Sequence, residues 1–422
     1  MRARALAPAG LAIALSASVA IALSASAAIA LSSCSTSTTQ PRAGSPPATD
    51  RRTATGQRTP EGFIGTMVDG PVLSGSVNLG RELGRIVASG AESLRVAVDW
   101  DLAQPYRSFS RVPAGQRSQF QAVGGVPTSF SQLDRVVGLA AQRGLSVLPV
   151  VEFAPRWDAL HPGDPGSPPR SPAPYAAFLG ALARRYGAHG TFWAAHPGLR
   201  AVPIEMWQVW NEPNFTSYWS TQPFAASYVR LLAASRAALR SADPGAKLVL
   251  AGLPDFSWEY LAEIYRVAGA SRTFDIVAVH PYTAQARGVI EILEKVRAVM
   301  NRFGDAGKPM LATEISWPSS EGKAPPQFGF QTTEAGQAQR LAQAMPLLAR
   351  YRSKLGLAGF YWYTWMGDET PRANPYAFDY AGLLKYVYGR IVPKPALGVF
   401  KREALAIEGC RSKGSLASSC QS

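Results

Sequence analysis

From Gly62 onward the chain alternates short β-branched, apolar runs with longer segments whose apolar positions recur every three or four residues. The first pattern reads as strands buried on both faces, the second as amphipathic helices. Strands are expected at Phe63–Val68, Ser93–Val98, Ser146–Val151, Glu205–Asn211, Lys247–Ala251, Phe274–His280, Pro309–Thr313 and Gly359–Thr364. Helices are expected around Asn78–Ser89, Ser131–Arg143, Pro174–Tyr186, Pro223–Ser241, Phe256–Ala268, Val289–Phe303, Thr333–Arg350 and Pro395–Leu405. Proline opens several of these helices and Gly or Asp-Pro closes others, as helix boundaries prefer. Eight strands, each followed by a helix, over about 340 residues predict an α/β fold, a single-domain (β/α)8 TIM barrel with inserted loops over 61–408. The competitor is a doubly wound open sheet, but Gly65-Thr66-Met67-Val68-Asp69-Gly70 misses the dinucleotide-loop pattern. A barrel carries its chemistry at the C-terminal ends of its strands. Polar and aromatic residues gather there: Asp99-Trp100, Glu152-Phe153, Asn211-Glu212, His280-Pro281-Tyr282, Glu314 with Trp317, and Trp365.

Composition narrows the classes. With 47% hydrophobic and 17% charged residues among 422, the chain can build a sizeable core, and only three Cys exclude a disulfide-dense scaffold. Ten Trp and fifteen Tyr exceed what packing usually demands. A net charge of +14 would suit nucleic acid, an anionic membrane or an acidic polymer. The arginines are instead scattered through the helical segments, the pattern of a solvated surface, so no nucleic-acid partner is expected. Four His and no metal-ligand spacing give no reason to expect a metal, and phosphate loops and serine-hydrolase elbows are missing, so no cofactor is expected.

The first 33 residues read as an export signal rather than fold. Arg2 and Arg4 precede an apolar run from Leu11 to Leu31 that holds a short internal repeat. The run exceeds the usual core of ~7–15 residues, which leaves an uncleaved transmembrane anchor as the alternative. Leu31-Ser32-Ser33-Cys34 resembles the lipobox of bacterial lipoproteins, in which the signal is cut before the Cys and the Cys is acylated. The resemblance implies lipidation at Cys34 and an extracytoplasmic protein held to the membrane through its N-terminus. Residues 34–60, rich in Ser, Thr, Pro, Gly and Arg, bury too little to fold and are expected to be a tether. The part beyond it carries about +9. In an exported chain Cys410 and Cys420 are expected to pair and pin the tail, residues 409–422. The protein is expected to be a monomer.

Two motifs carry the chemistry. Trp207-Gln208-Val209-Trp210-Asn211-Glu212-Pro213-Asn214 ends the fourth strand, and Met310-Leu311-Ala312-Thr313-Glu314-Ile315-Ser316-Trp317-Pro318 ends the seventh. They resemble the retaining glycoside hydrolases of clan A, the superfamily of cellulases, mannanases and β-xylosidases, over essentially the whole folded part. The resemblance implies that Glu212 is the general acid/base and Glu314 the nucleophile, and that Asn211 holds the sugar 2-hydroxyl. It also implies an arginine beside the nucleophile (Arg95), a sixth-strand tyrosine aimed at it (Tyr282) and an eighth-strand tryptophan flooring the sugar (Trp365). His280 is expected to contact sugar hydroxyls, and Trp317 to contribute to substrate binding at the mouth. Independently, acetal cleavage needs one protonated and one ionised carboxyl about 5–5.5 Å apart for retention, against ~6.5–9.5 Å for inversion. Glu212 and Glu314 are 102 positions apart, so only a closed scaffold brings them together.

Other mouth residues have humbler expectations. Asp99, Asp101, Glu152, Asp255 and Asp368 should bind hydroxyls or brace neighbours, and at least one of Trp207 and Trp210 should be core, since they fall on alternate faces of a strand. Many family 5 cellulases have a histidine after the third strand, whereas Glu152-Phe153-Ala154-Pro155-Arg156-Trp157 looks more like family 39 and its relatives. Insertions at Thr216–Gln222, Ser319–Gln331 and Gly367–Tyr380 should wall the cleft. The expected function is hydrolysis of β-glycosidic bonds in an oligo- or polysaccharide. Transglycosylation at the same site, or a non-catalytic carbohydrate-binding surface protein, are the alternatives.

Overall fold

A computed structural model describes residues 59–421. The export segment, Cys34 and residues 34–58 of the expected tether lie outside the described residues.

All eight expected strands form one parallel sheet: β1 (Ile64–Val68), β2 (Ser93–Asp99), β3 (Ser146–Glu152), β4 (Met206–Val209), β5 (Lys247–Val249), β6 (Val277–Val279), β7 (Met310–Ile315) and β8 (Leu357–Trp362). The β8 strand pairs with both β7 and β1, so the sheet curls round on itself. Between β5 and β6 the pairing is broken into two isolated parallel bridges, Val249 with Ile276 and Leu253 with Val279, within five backbone hydrogen bonds that join residues 248–253 to 275–280. Eight helices follow the strands in turn: α1 (Leu79–Ala88), α2 (Ser131–Ala141), α3 (Pro172–Tyr186), α4 (Ala225–Ala242), α5 (Ser257–Arg266), α6 (Ala286–Arg302), α7 (Glu334–Leu355) and α8 (Pro395–Glu408). This is the (β/α)8 barrel the pattern predicts.

Local chemistry sets the boundaries. The Asn78 side chain accepts from the Arg81 amide at 3.0 Å to open α1, and Thr333 accepts from Gly336 at 3.1 Å to open α7. Helix α7 stops at Gly356, whose φ of +60° a side chain would resist. The expected fourth strand runs to Asn211, but β4 ends at Val209 because Trp210 turns to φ +67°.

Two apolar layers hold the barrel. Inside it lie Leu148, Val249, Ile276, Ala278, Leu311 and Tyr361, while a larger core packs the outward strand faces against the helices. Gly65 is required by that filling: a Cβ there would stand 2.4 Å from the Tyr361 ring.

Two devices tie down the loops and tail. Lys394, 2% exposed, donates to Glu369 at 3.0 Å, Ser319 at 2.8 Å and the Tyr380 carbonyl at 2.7 Å, joining the segments after β7 and β8. At the end of the chain Cys410 is bonded to Cys420, and Lys413 reaches Glu92 at 2.9 Å and also Glu408. Among the described residues no helix is long and apolar enough to cross a membrane.

Candidate active site

The C-terminal ends of β2, β4, β6 and β7 converge on one polar cluster. Arg95, projecting inward from β2 and 1% exposed, directs its guanidinium at three oxygen acceptors, with the Met67 sulfur 3.5 Å from Nη1 as a fourth. Nη1 donates to Glu314 at 2.6 Å, Nη2 to the Asn211 side-chain oxygen at 2.9 Å and Nε to Gln208 at 2.8 Å. The Asn211 amide nitrogen is thereby turned away from Arg95 and left to meet something else. Tyr282 donates to the other Glu314 oxygen at 2.7 Å.

His280 is wholly buried between the two glutamates. Its Nδ1 lies 2.7 Å from Glu212, and its Nε2 lies 3.5 Å from Glu314. The ring has room because residue 252 is glycine: a Cβ there would fall 1.9 Å from Nε2. One oxygen of Glu212, one of Glu314 and one His280 nitrogen all lie within 4.8 Å of one another. Such a trio could surround a cation, a grouping that sequence spacing does not reveal. Arg95 already brings Glu314 the positive charge an ion would otherwise bring, and Tyr282 adds a neutral donor, so the set suits proton chemistry better.

The backbone is bent to present these groups. Glu212 itself sits at φ +38°, and Trp210 and Phe153 at +67° and +61°, positions that non-glycine residues occupy only when packing compels it. Packing does compel it: the Glu212 amide bonds Gly252, and the Trp210 amide bonds Val151 of β3.

Electrostatics split the two carboxyls. Burial, and then the nearby charge of Glu314, hold Glu212 above the ordinary carboxylate range despite the opposing pull of His280. Burial would raise Glu314 too, but the His280 and Arg95 charges and the hydrogen bonds from Tyr282 and Arg95 outweigh it and hold Glu314 low. One group is thus biased to keep a proton and its neighbour to lose one. Asp69, which accepts from Thr364 and Tyr363, is pushed up to about 6, chiefly by burial.

Two aromatic expectations need correction. Trp365 is 0% exposed, and its indole donates to Glu82 of α1 at 3.1 Å, so its ring belongs to the core and floors nothing. The chain leaves the β8 ladder after Trp362, and the Trp365 amide then bonds Met67 of β1, which turns the ring outward. Tyr363, unnoticed in the sequence, is the partly exposed eighth-strand aromatic that lies near Asp69 and Glu314. Trp317 is also buried, at 1% exposure, donating to the Thr283 carbonyl at 2.6 Å and packing on Trp362. Both Trp207 and Trp210 are core.

The inserted loops do build a wall. Phe330 stacks on Tyr282 with centroids 5.3 Å apart, Phe328 stacks on Phe330 at the same spacing, and Phe378 packs edge-on against Tyr282 and Tyr363. On the opposite side Tyr218, from the loop after β4, stacks on Phe153. Gln208 was also unforeseen as a site residue, although it is the one polar residue in the β4 run Met206–Val209.

No protein-family model matches the sequence, and no curated protein matches it. Solved structures do resemble the fold. A family 39 glycoside hydrolase from Bacteroides cellulosilyticus is similar at TM-score 0.60 and 16% identity, over 82% of this chain and 64% of that one. A monomeric β-xylosidase from Caulobacter crescentus is similar at TM-score 0.56 and 16% identity, over 81% and 67% of the two chains. An exo-β-1,4-mannosidase from an Opitutaceae bacterium is similar at TM-score 0.55 and 15% identity, over 84% and 62%. The chain therefore spans less than two thirds of the first and third of these proteins. At such identities the likeness establishes a shared (β/α)8 architecture.

Proposed function

We propose that the protein is a retaining glycosidase that cleaves β-glycosidic bonds of an oligo- or polysaccharide by double displacement. The observation that carries this reading is the pair of carboxyls with oxygens within 4.8 Å, one biased to stay protonated and the other ionised. Oxygens that close are compatible with the ~5–5.5 Å carboxyl spacing of a retaining site, while ~6.5–9.5 Å would leave room for an intervening water.

In this reading Glu314 attacks the anomeric carbon while Glu212 gives its proton to the departing oxygen. The covalent glycosyl ester on Glu314 is then broken by water, which loses its proton to Glu212. Arg95 and Tyr282 hold the nucleophile ionised and aimed, and the Asn211 amide is free to donate to the 2-hydroxyl. The aromatic wall offers ring faces to the C–H-rich side of a pyranose. The glycosidases among the similar folds support the same class. Export and acylation at Cys34 belong to the proposal and would place the mouth in contact with extracellular or cell-surface glycans.

A 2-deoxy-2-fluoro glycoside with a good leaving group tests it. The slow intermediate should accumulate, and peptide mass spectrometry should find the label on Glu314. Glu314→Gln should lose turnover by about 10⁴-fold or more. Label on another residue, or full turnover by that variant, would sink the mechanism.

A further inference from the structure

A third carboxyl at the barrel mouth has no part in that mechanism. Glu152 ends β3 and is 6% exposed, yet its Oε2 is buried without any hydrogen-bond partner. Its direction follows from the strand. Leu148, four residues earlier on the same face, lies inside the barrel, paired in register with Arg95. Glu152 therefore points into the mouth, above Arg95 and beside the Glu212–Glu314 pair. Its register partner on β2 is Asp99, on the same inward face.

Native proteins seldom leave a buried carboxyl oxygen unpaired, because stripping its water without replacement is costly. A buried carboxyl oxygen with nothing to bond, beside the partly exposed Asp99, suggests that a ligand supplies the bond. Burial and the Asp99 charge push Glu152 well upward, and burial pushes Asp99 to about 6. A protonated Glu152 beside Asp99 offers both donors and acceptors, and hydroxyl groups match that mixture. A carboxylate ligand would be repelled. Position sharpens the match: with C1 at Glu314 and the 2-hydroxyl at Asn211 of the β4 end, the next ring hydroxyls fall toward β3 and β2.

We infer that Glu152, with Asp99, is a specificity-determining contact that binds the vicinal C3 and C4 hydroxyls of a neutral sugar ring and rejects uronic acids. This rests on the glycosidase reading above. The test uses the full chain and whichever of 4-nitrophenyl β-D-glucoside, β-D-mannoside and β-D-xyloside turns over fastest, together with its 3-deoxy counterpart and 4-nitrophenyl β-D-glucuronide. The native protein should lose about tenfold or more in kcat/KM on the 3-deoxy compound. Glu152→Ala should lose activity on the parent but close that gap to about twofold, and Glu152→Gln, which keeps a donor and an acceptor, should restore it.

A gap that persists in Glu152→Ala, an equal loss on both compounds, or a glucuronide that outperforms the neutral sugars would each overturn the inference. If the native protein cleaves no glycoside, the glycosidase reading fails by itself. Calorimetric binding of the methyl glycosides then judges Glu152 alone: equal affinity for parent and 3-deoxy forms overturns it, and a preference erased by Glu152→Ala upholds it.

Discussion

Arg95 and Glu314 meet at 2.6 Å although 219 residues separate them in the chain. Neither is accessible enough for water to replace its partner, so the contact fixes both the charge on Glu314 and the direction of its lone pairs. Arg95→Met should therefore cut kcat/KM by about 10²–10³-fold, the scale of losing one preorganised electrostatic partner. It should also raise the Glu314 pKa, moving the acid limb of the pH–rate profile to higher pH. Steady-state kinetics across pH checks both.

The unmodified protein should show a bell-shaped kcat/KM profile. Activity falls on the acid side as Glu314, held low by His280, Arg95 and Tyr282, takes a proton. It falls on the alkaline side as Glu212, held high by burial and the Glu314 charge, loses one. Glu212→Gln should abolish the alkaline limb and leave measurable turnover only for substrates with strongly activated leaving groups. A limb unmoved by that change would mean another group donates the proton.

Gly252→Ala probes His280 without touching it. The new methyl would overlap the imidazole, which must then shift away from Glu212. A displacement near 1 Å at a reacting pair costs on the order of 10²-fold, so kcat should fall about that far, and Tm should drop as well because overpacking a buried ring costs about 1–3 kcal/mol. Wild-type activity in this variant would show that the ring position is not demanding.

Lys394→Met should leave Glu369 buried without its closest cation. An uncompensated buried charge costs about 3–5 kcal/mol, and because Lys323 stays 3.4 Å from Glu369 the loss should fall below that range, readable by urea unfolding. The segments at Ser319 and Tyr380 should loosen with it, since both bond the same ammonium.

Much of this was legible in the sequence, and the losses have physical reasons. The eight strands stand out because their residues are buried on both faces and read as continuous apolar runs. Glu212, Glu314, Arg95 and Tyr282 were expected at the mouth because the resemblance of their motifs to clan A glycoside hydrolases implied them there, and their side chains do lie in one cluster with His280. Trp365 was misplaced because the regular alternation of a strand does not survive beyond its last ladder bond, at Trp362. Tyr363 was hidden in the same aromatic run. Gln208 gave a faint signal, a lone amide between apolar neighbours, but its meaning depends on Arg95 arriving from another strand. The empty bonding capacity of Glu152 is a property of tertiary packing and has no trace in local sequence.

The joint between β5 and β6 is irregular: five backbone hydrogen bonds cross it, but its pairing is broken into two isolated bridges where its neighbours have continuous ladders of three pairs. With the register interrupted and the Leu253 amide 3.4 Å from the Ala278 carbonyl, this is the stave expected to spring first. Amides of Leu253 and His280, whose bonds span that joint, should exchange with deuterium sooner than those of β2 and β3. Heat will then pull the imidazole off its glutamate while most of the barrel stands, so function should fade at a lower temperature than the fold.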